Sequence, residues 1–129
     1  MLLDTSFLID LMQGEESAVE TAKELEADLV QQRISAMTLF ELSYGIARSE
    51  RPIEERDTVE TVLASKPIHP ADTAVMRKAG RMAGELANDG ETVGDGDVIV
   101  GATAAVVDEP VLTRNVRDFE RLGVDIESD

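Results

Sequence analysis

Met1-Leu2-Leu3-Asp4-Thr5-Ser6 is the stretch whose reading decides the fold. Consecutive apolar residues with no polar alternation suit a short strand buried on both faces. Asp4 ends that strand, and Thr5-Ser6 offers an N-cap for a helix through Phe7, Leu8, Leu11 and Met12, which Gly14 ends. A strand this short and this apolar belongs at the centre of a sheet. Asp4 then stands at the carboxyl end of a central strand, where open α/β sheets form their sites.

The same punctuation recurs along the chain. Glu15 to Asp28 reads as a helix with Val19, Ala22 and the Leu25/Leu29 pair as its apolar stripe. Arg33 to Ala36 reads as a strand, and Thr38 to Ser49 as a helix with Leu39, Leu42 and Ile46 on one face. Pro52 starts a helix to Ala64, with Ile53, Val59, Val62 and Leu63 turned inward. Lys66 to Pro70 is a very short strand or an extended link. Ala71 to Asn88 is strongly helical, with Val75, Ala79, Met82, Ala83 and Leu86 at helical spacing. Gly80 and Gly84, one turn apart, predict close approach of another backbone. A loop from Gly90 to Gly96 precedes a buried helix from Asp97 to Val107. Pro110 to Thr113 is a strand, Val116 to Leu122 a helix, and Val124 to Ile126 a last strand. Short strands alternating with helices predict a three-layer α/β/α sandwich around a short parallel sheet, as one domain over residues 1–129. Right-handed crossovers bring the strand ends that precede helices to one edge.

Composition narrows the chemistry. With three Phe, one Tyr and no Trp, the core must be aliphatic. The absence of cysteine excludes disulfides, thiolate metal sites and cysteine nucleophiles. No apolar run approaches the roughly 18 residues of a membrane span, and the first residues lack the basic start of a signal peptide. A cytoplasmic protein is expected. The net charge of −15 reads first as the solvating surface of a salt-adapted, halophilic protein and second as complementarity to a basic partner. Such a field repels nucleic acid, so any RNA contact must come from local arginines or work where salt screens the repulsion. Arg48, Arg51, Arg114 and Arg117 are candidates for positioning phosphate, and equally for pairing with surface carboxylates.

Four side chains stand apart from that solvated surface: Asp4, Glu41, Asp97 and Asn115, each at or near the end of a hydrophobic run. Thr5 and Ser6 can cap the first helix, so Asp4 is not needed as a cap. Thr38 and Glu41 have the spacing of a capping box, which accounts for both without any site, yet the same turn also aims Glu41 at the sheet edge. Asp95 or Asp97 can cap the helix of small residues that follows; both are not needed. Thr113 or Asn115 can cap the last helix, with Asp118 as first-turn charge. Three carboxylates and an amide gathered at strand ends suit Mg²⁺ or Mn²⁺, held by few protein oxygens together with water and phosphate. Such an ion lowers the pKa of a bound water and neutralises charge in an in-line displacement. The one histidine, His69, reads as structural.

Met1-Leu2-Leu3-Asp4-Thr5-Ser6, Thr38-x-x-Glu41-Leu42-x-x-Gly45, Asp97-x-x-Val100-x-Ala102-Thr103-Ala104 and Leu112-Thr113-Arg114-Asn115-x-x-Asp118-Phe119, in this order, resemble the PIN-domain ribonucleases, and among them the VapC toxins of type II toxin–antitoxin systems. The resemblance covers essentially the whole chain. It implies an α/β/α endoribonuclease dependent on Mg²⁺ or Mn²⁺. Asp4, Glu41 and Asp97 match the family's three acidic positions, the metal ligands. Asn115 matches a fourth catalytic position, Asp in some members and Asn in others. The amide favours one tightly held ion over two, with Asp118 or Asp95 able to supply charge. Ser6 and Thr113 match polar residues lining such sites and, with Arg114, are the expected substrate-binding set. Gly101 stands where Ala is usual, a departure expected to be harmless. The resemblance also implies an RNA substrate, a homodimer and a cognate antitoxin that lays an extended segment over the site. Two alternatives share the fold: a processing or repair nuclease outside a toxin system, and an interaction module without chemistry.

Overall fold

Every strand is two residues long, so each contributes one side chain to each face of the sheet. In the computed structural model Leu2 and Val111 point into one apolar cluster, while their neighbours Leu3 and Leu112 point into another. The strand residues of β1 (Leu2–Leu3) and β4 (Val111–Leu112) are essentially removed from solvent. An uninterrupted apolar pair is what a two-sided position demands. The structure describes residues 1–128; the last residue of the expected 1–129 domain lies outside the described residues.

β2 (Ile34–Ser35) pairs in parallel with β3 (Ile68–His69), and β1 pairs in parallel with β4, which pairs with β5 (Ile126–Glu127). The two groups join through a parallel bridge between Leu2 and Arg33, with Leu3 N–H donating to Arg33 O and Arg33 N–H to Met1 O, both at 2.9 Å. The spatial order is therefore β3-β2-β1-β4-β5. It reverses direction at β1, which makes the crevice beyond β1 and β4 the topological switch point.

On one side lie α1 (Thr5–Met12), α2 (Glu16–Ala27), α3 (Ala36–Arg48) and α4 (Pro52–Leu63). They bury Phe7, Leu8, Ala18, Leu25, Leu42 and Val59 against Leu3, Ile34 and Leu112. The other side holds α5 (Thr73–Asn88), α6 (Asp95–Val107) and α7 (Val116–Arg121), with Val75, Ala79, Met82 and Leu86 against the small residues of α6. The expected α/β/α sandwich is the architecture found. No described helix is long and apolar enough to cross a membrane.

Several local expectations need correction. α3 begins at Ala36, capped by Ser35, whose Oγ accepts from Met37 N–H at 3.1 Å; Thr38 lies inside the helix, so no Thr38–Glu41 capping box forms. α6 begins at Asp95, one turn-edge before Asp97, and β5 falls at Ile126–Glu127 rather than Val124 to Ile126. Ile53 and Leu29 are exposed. Leu29 lies past the end of α2 with φ +56°, where the chain turns out of the stripe. A Cβ at Gly80 or Gly84 would meet nothing, so no backbone approaches there. The tight glycine is Gly101, where a Cβ would come within 2.8 Å of Leu122 Cδ1.

Candidate active site

Asp4 is the first residue beyond β1 and is 2% exposed. It occupies the N-cap position of α1, yet its carboxylate makes no capping bond. Instead Oδ2 accepts from Ser6 Oγ and from Thr113 Oγ1, each at 2.8 Å. These two hydroxyls come from the first turn of α1 and from the residue after β4. They fix the carboxylate across the switch point and leave Oδ1 without a donor among the described residues. A buried carboxylate with one oxygen held and the other unclaimed is placed to meet something cationic.

Glu41 projects from the second turn of α3. Thr5 Oγ1 donates to its Oε1 at 2.9 Å and lies 3.0 Å from Thr38 Oγ1. Its Oε2 faces the start of α6, where a Cβ on Gly96 would lie 3.4 Å away. Burial raises the Glu41 pKa above the usual carboxylate value; the Thr5 hydrogen bond pulls the other way, and the charge of Asp4 adds to the rise.

Asp97 lies in the first turn of α6, half-buried. Its pKa is pushed up to about 6, first by burial, then by the negative charges of Asp4, Asp118 and Glu41 and by a hydrogen bond with Asp118. Carboxylates from α1's start, α3 and α7 thus bring their charge to bear on Asp97 in α6 at a single edge. Sequence reasoning placed Asp118 only as a reserve of charge; the fold puts it directly beside Asp97.

The loop after β4 frames the other side. Thr113 is fully buried, bonding Asp4 and accepting from Asn115 N–H at 2.9 Å. Arg114 N–H donates to Ser6 Oγ at 3.1 Å, and its guanidinium pairs with Asp10 at 2.7 Å. Asn115 is exposed at the N-cap of α7 and its side chain makes no capping bond. The structure therefore brings Asp4, Glu41, Asp97, Ser6 and Thr113 into one network and leaves the Asn115 side chain at the rim. Thr5 and Asp10 were not singled out from the sequence for any site role. Thr5 was read as a cap; Asp10 looked like one more surface acid, and only its place one turn from Ser6 on α1 hinted otherwise.

Beside the carboxylates, rather than over them, opens a cavity of about 710 Å³. Thr5, Glu41 and Gly96 form its site end, and Ile9, Met12, Met37, Phe40, Tyr44 and Val59 its apolar remainder. Phe40 and Tyr44 are both largely exposed, and Arg48 lies 5.9 Å from the Tyr44 ring centroid.

Hard oxygen donors crowded enough to raise the pKa of Asp97 and of Glu41 suit a divalent cation. Among the described residues, no three acidic or histidine side chains stand close enough to ligate one ion directly. The donor set thus fits an ion that keeps several of its waters, as Mg²⁺ does, and not a closed protein cage.

The PIN-domain family model matches residues 1–125. The chain is 35% identical over 95 residues to the tRNA(fMet)-specific endonuclease VapC of Salmonella typhimurium, covering 73% of this chain and 72% of that one. It is 32% identical over 120 residues to Ribonuclease VapC19 of Mycobacterium tuberculosis, covering 92% and 90% of the two chains. Among solved structures, DNA-bound VapBC from Salmonella typhimurium superposes with a TM-score of 0.90 at 29% identity, over 98% of this chain and 96% of that one. VapBC2 from Rickettsia felis, bound to a promoter fragment, has a TM-score of 0.91 at 21% identity over 99% and 97%, a likeness of fold. By family model, relatives and fold together, this chain belongs to the PIN-domain family, in its VapC branch.

Proposed function

We propose that the protein is a Mg²⁺- or Mn²⁺-dependent endoribonuclease, the toxin of a VapBC-type toxin–antitoxin pair. The observation that carries this reading is the convergence of Asp4, Glu41, Asp97 and Asp118 at the switch point, with Asp97 raised to about 6 by burial and by its acidic neighbours. Mutual repulsion of this kind has no structural benefit of its own and is relieved by a bound cation.

Asp4, through Oδ1, and Asp97 would hold the ion, with Glu41 reaching it through one of its waters. When bound, a divalent ion supplies a water of lowered pKa and neutralises charge on the phosphate in the transition state. Ser6 and Thr113 hold Asp4 Oδ2, so that carboxylate keeps its orientation as substrate enters. Thr5 holds Glu41 Oε1, leaving Oε2 as the atom that takes a proton from the attacking water. A raised Glu41 pKa suits that task better than that of a free surface carboxylate. Arg114 is the nearest cation along the chain to Thr113 and Asn115 and contacts RNA phosphate. Asn115 at the rim donates or accepts without adding charge, in keeping with one tightly held ion.

The apolar cavity beside Glu41 is the surface for the antitoxin, with Phe40 and Tyr44 as anchors and the carboxylates at its end receiving a basic side chain. The quaternary state of this reading is a homodimer, read as a doubled mass in light scattering.

Asp4→Ala tests the reading. The variant is expected to fold, as seen by circular dichroism, and to lose RNA cleavage in Mg²⁺ or Mn²⁺ entirely. Wild-type rates in that variant would overturn the assignment.

A further inference from the structure

Asp10 and Ser6 lie one turn apart on α1 and face the same neighbour. Ser6 Oγ accepts from the backbone N–H of Arg114 at 3.1 Å, and Asp10 Oδ1 accepts from its Nη1 at 2.7 Å. One face of α1 thus grips Arg114 at both ends, main chain and guanidinium. The Asp10 side chain is 11% exposed, whereas that of Arg114 is 60% exposed. Among the described residues the guanidinium has one acceptor, Asp10 at Nη1, and the side chain that carries its other N–H donors is mostly exposed.

Stability alone does not account for this pair. Half of it is open to water, where ion pairs contribute little, while burying the carboxylate carries a desolvation cost. The arrangement does serve recognition. In a chain of net charge −15, phosphate has few cations to meet. Arg114 adjoins Thr113, which holds Asp4, and a guanidinium fixed in a plane matches phosphate oxygens better than a wandering one.

We propose that Asp10 is a positioning residue that holds Arg114 as a preset contact for a phosphate of the RNA substrate, beside the carboxylate site. The inference rests on the ribonuclease reading and deepens it. Asp10 touches no substrate; it acts only through Arg114.

The two possible roles of Asp10 differ in sign. Removing its negative charge makes the rim more cationic, so charge alone predicts tighter RNA binding. Positioning predicts weaker binding. The probe is a fluorescein-labelled single-stranded RNA, its affinity followed by anisotropy over a series of salt concentrations with Ca²⁺ in place of Mg²⁺. Arg114→Gln is expected to weaken binding about tenfold and to lower the salt slope by about 0.7, the loss of one phosphate contact on a single strand. Asp10→Ala is expected to weaken binding by about threefold, and Asp10→Asn, which keeps an acceptor oxygen, by less. In the Arg114→Gln background, Asp10→Ala should cost nothing further.

Tighter binding by Asp10→Ala, or the same loss in both backgrounds, overturns the proposal. So does wild-type protein that binds no RNA, or binding indifferent to Arg114. Should Asp10→Ala fold poorly, the sign of the Asp10→Asn effect decides alone. Cleavage by the wild type in Mg²⁺ is measured separately. RNA binding with this pattern but without cleavage removes the nuclease reading and leaves the clamp; cleavage without the pattern does the reverse.

Discussion

At the scale of single residues, the site is a balance between repulsion and the few donors that offset it. Asp97, with a pKa of about 6 against an ordinary 3.8, binds its proton more tightly in the folded chain than in the unfolded one. Its ionisation therefore costs stability as pH rises from the ordinary value through about 6. Asp97→Asn should melt higher than the wild type at about pH 7.5 in chelator, and the advantage should shrink as pH falls through 6. Glu109 shifts the opposite way: burial would raise it, but hydrogen bonds from the N-terminal ammonium and from Arg33, at 2.8 Å, hold it low. Because both proteins carry Glu109, its contribution cancels in the difference. Thr5→Val removes the bond that favours ionised Glu41, so the acid limb of the pH–rate profile should move to higher pH. An unmoved limb would separate Glu41 from the rate. The sequence made Asp4, Glu41 and Asp97 visible because Asp4 and Glu41 follow apolar runs and Asp97 opens one. It hid Thr5 and Asp10, whose partners Glu41 and Arg114 are 36 and 104 residues away.

At the scale of elements, α3 and α6 matter most, since they carry Glu41 and Asp97. α3 starts where β2 ends, with Ser35 at once strand residue, helix cap and, at 3.2 Å, hydrogen-bond partner of Thr103 in α6. Ser35→Ala should lower stability by about 1 kcal/mol in denaturant unfolding. The Thr38–Glu41 spacing resembled a capping box because local sequence cannot show where a strand pairing stops. Ile34–Ser35 pairs with Ile68–His69, and the helix follows without a linker. Gly101 shows the same limit from the packing side. The departure from Ala was expected to be harmless, yet a Cβ there would meet Leu122 Cδ1 at 2.8 Å. The contact is with the end of a flexible side chain, so Gly101→Ala should be near neutral, helix propensity gained offsetting the shift of Leu122. Gly101→Val should destabilise by about 2 kcal/mol in the same assay.

At the scale of the whole molecule, alternating short strands and helices were enough to read the parallel sandwich, because the central strands β1 and β4, apolar and buried on both faces, leave no polar alternation to mislead. The order β3-β2-β1-β4-β5 was not legible: it depends on which neighbours pair, and the Leu2–Arg33 bridge that joins the two halves has no local signature. We expect the two core clusters, which share that sheet, to unfold together as one domain in a single calorimetric transition. With net charge −15, the melting temperature should rise as KCl is raised from about 0.1 to 1 M, the range over which the Debye length falls from ~10 to ~3 Å. A flat or falling dependence would detach the acidity from adaptation to salt. The central claim is that the carboxylates at the switch point work as a divalent-cation-dependent ribonuclease. The most direct measurement is RNA cleavage by wild-type protein stripped with chelator, before and after Mg²⁺ or Mn²⁺ is restored. The account predicts no cleavage in chelator and full recovery with either ion, with Asp4→Ala inactive throughout. Cleavage undiminished in chelator, or none under any ion with a folded and RNA-binding protein, would contradict it.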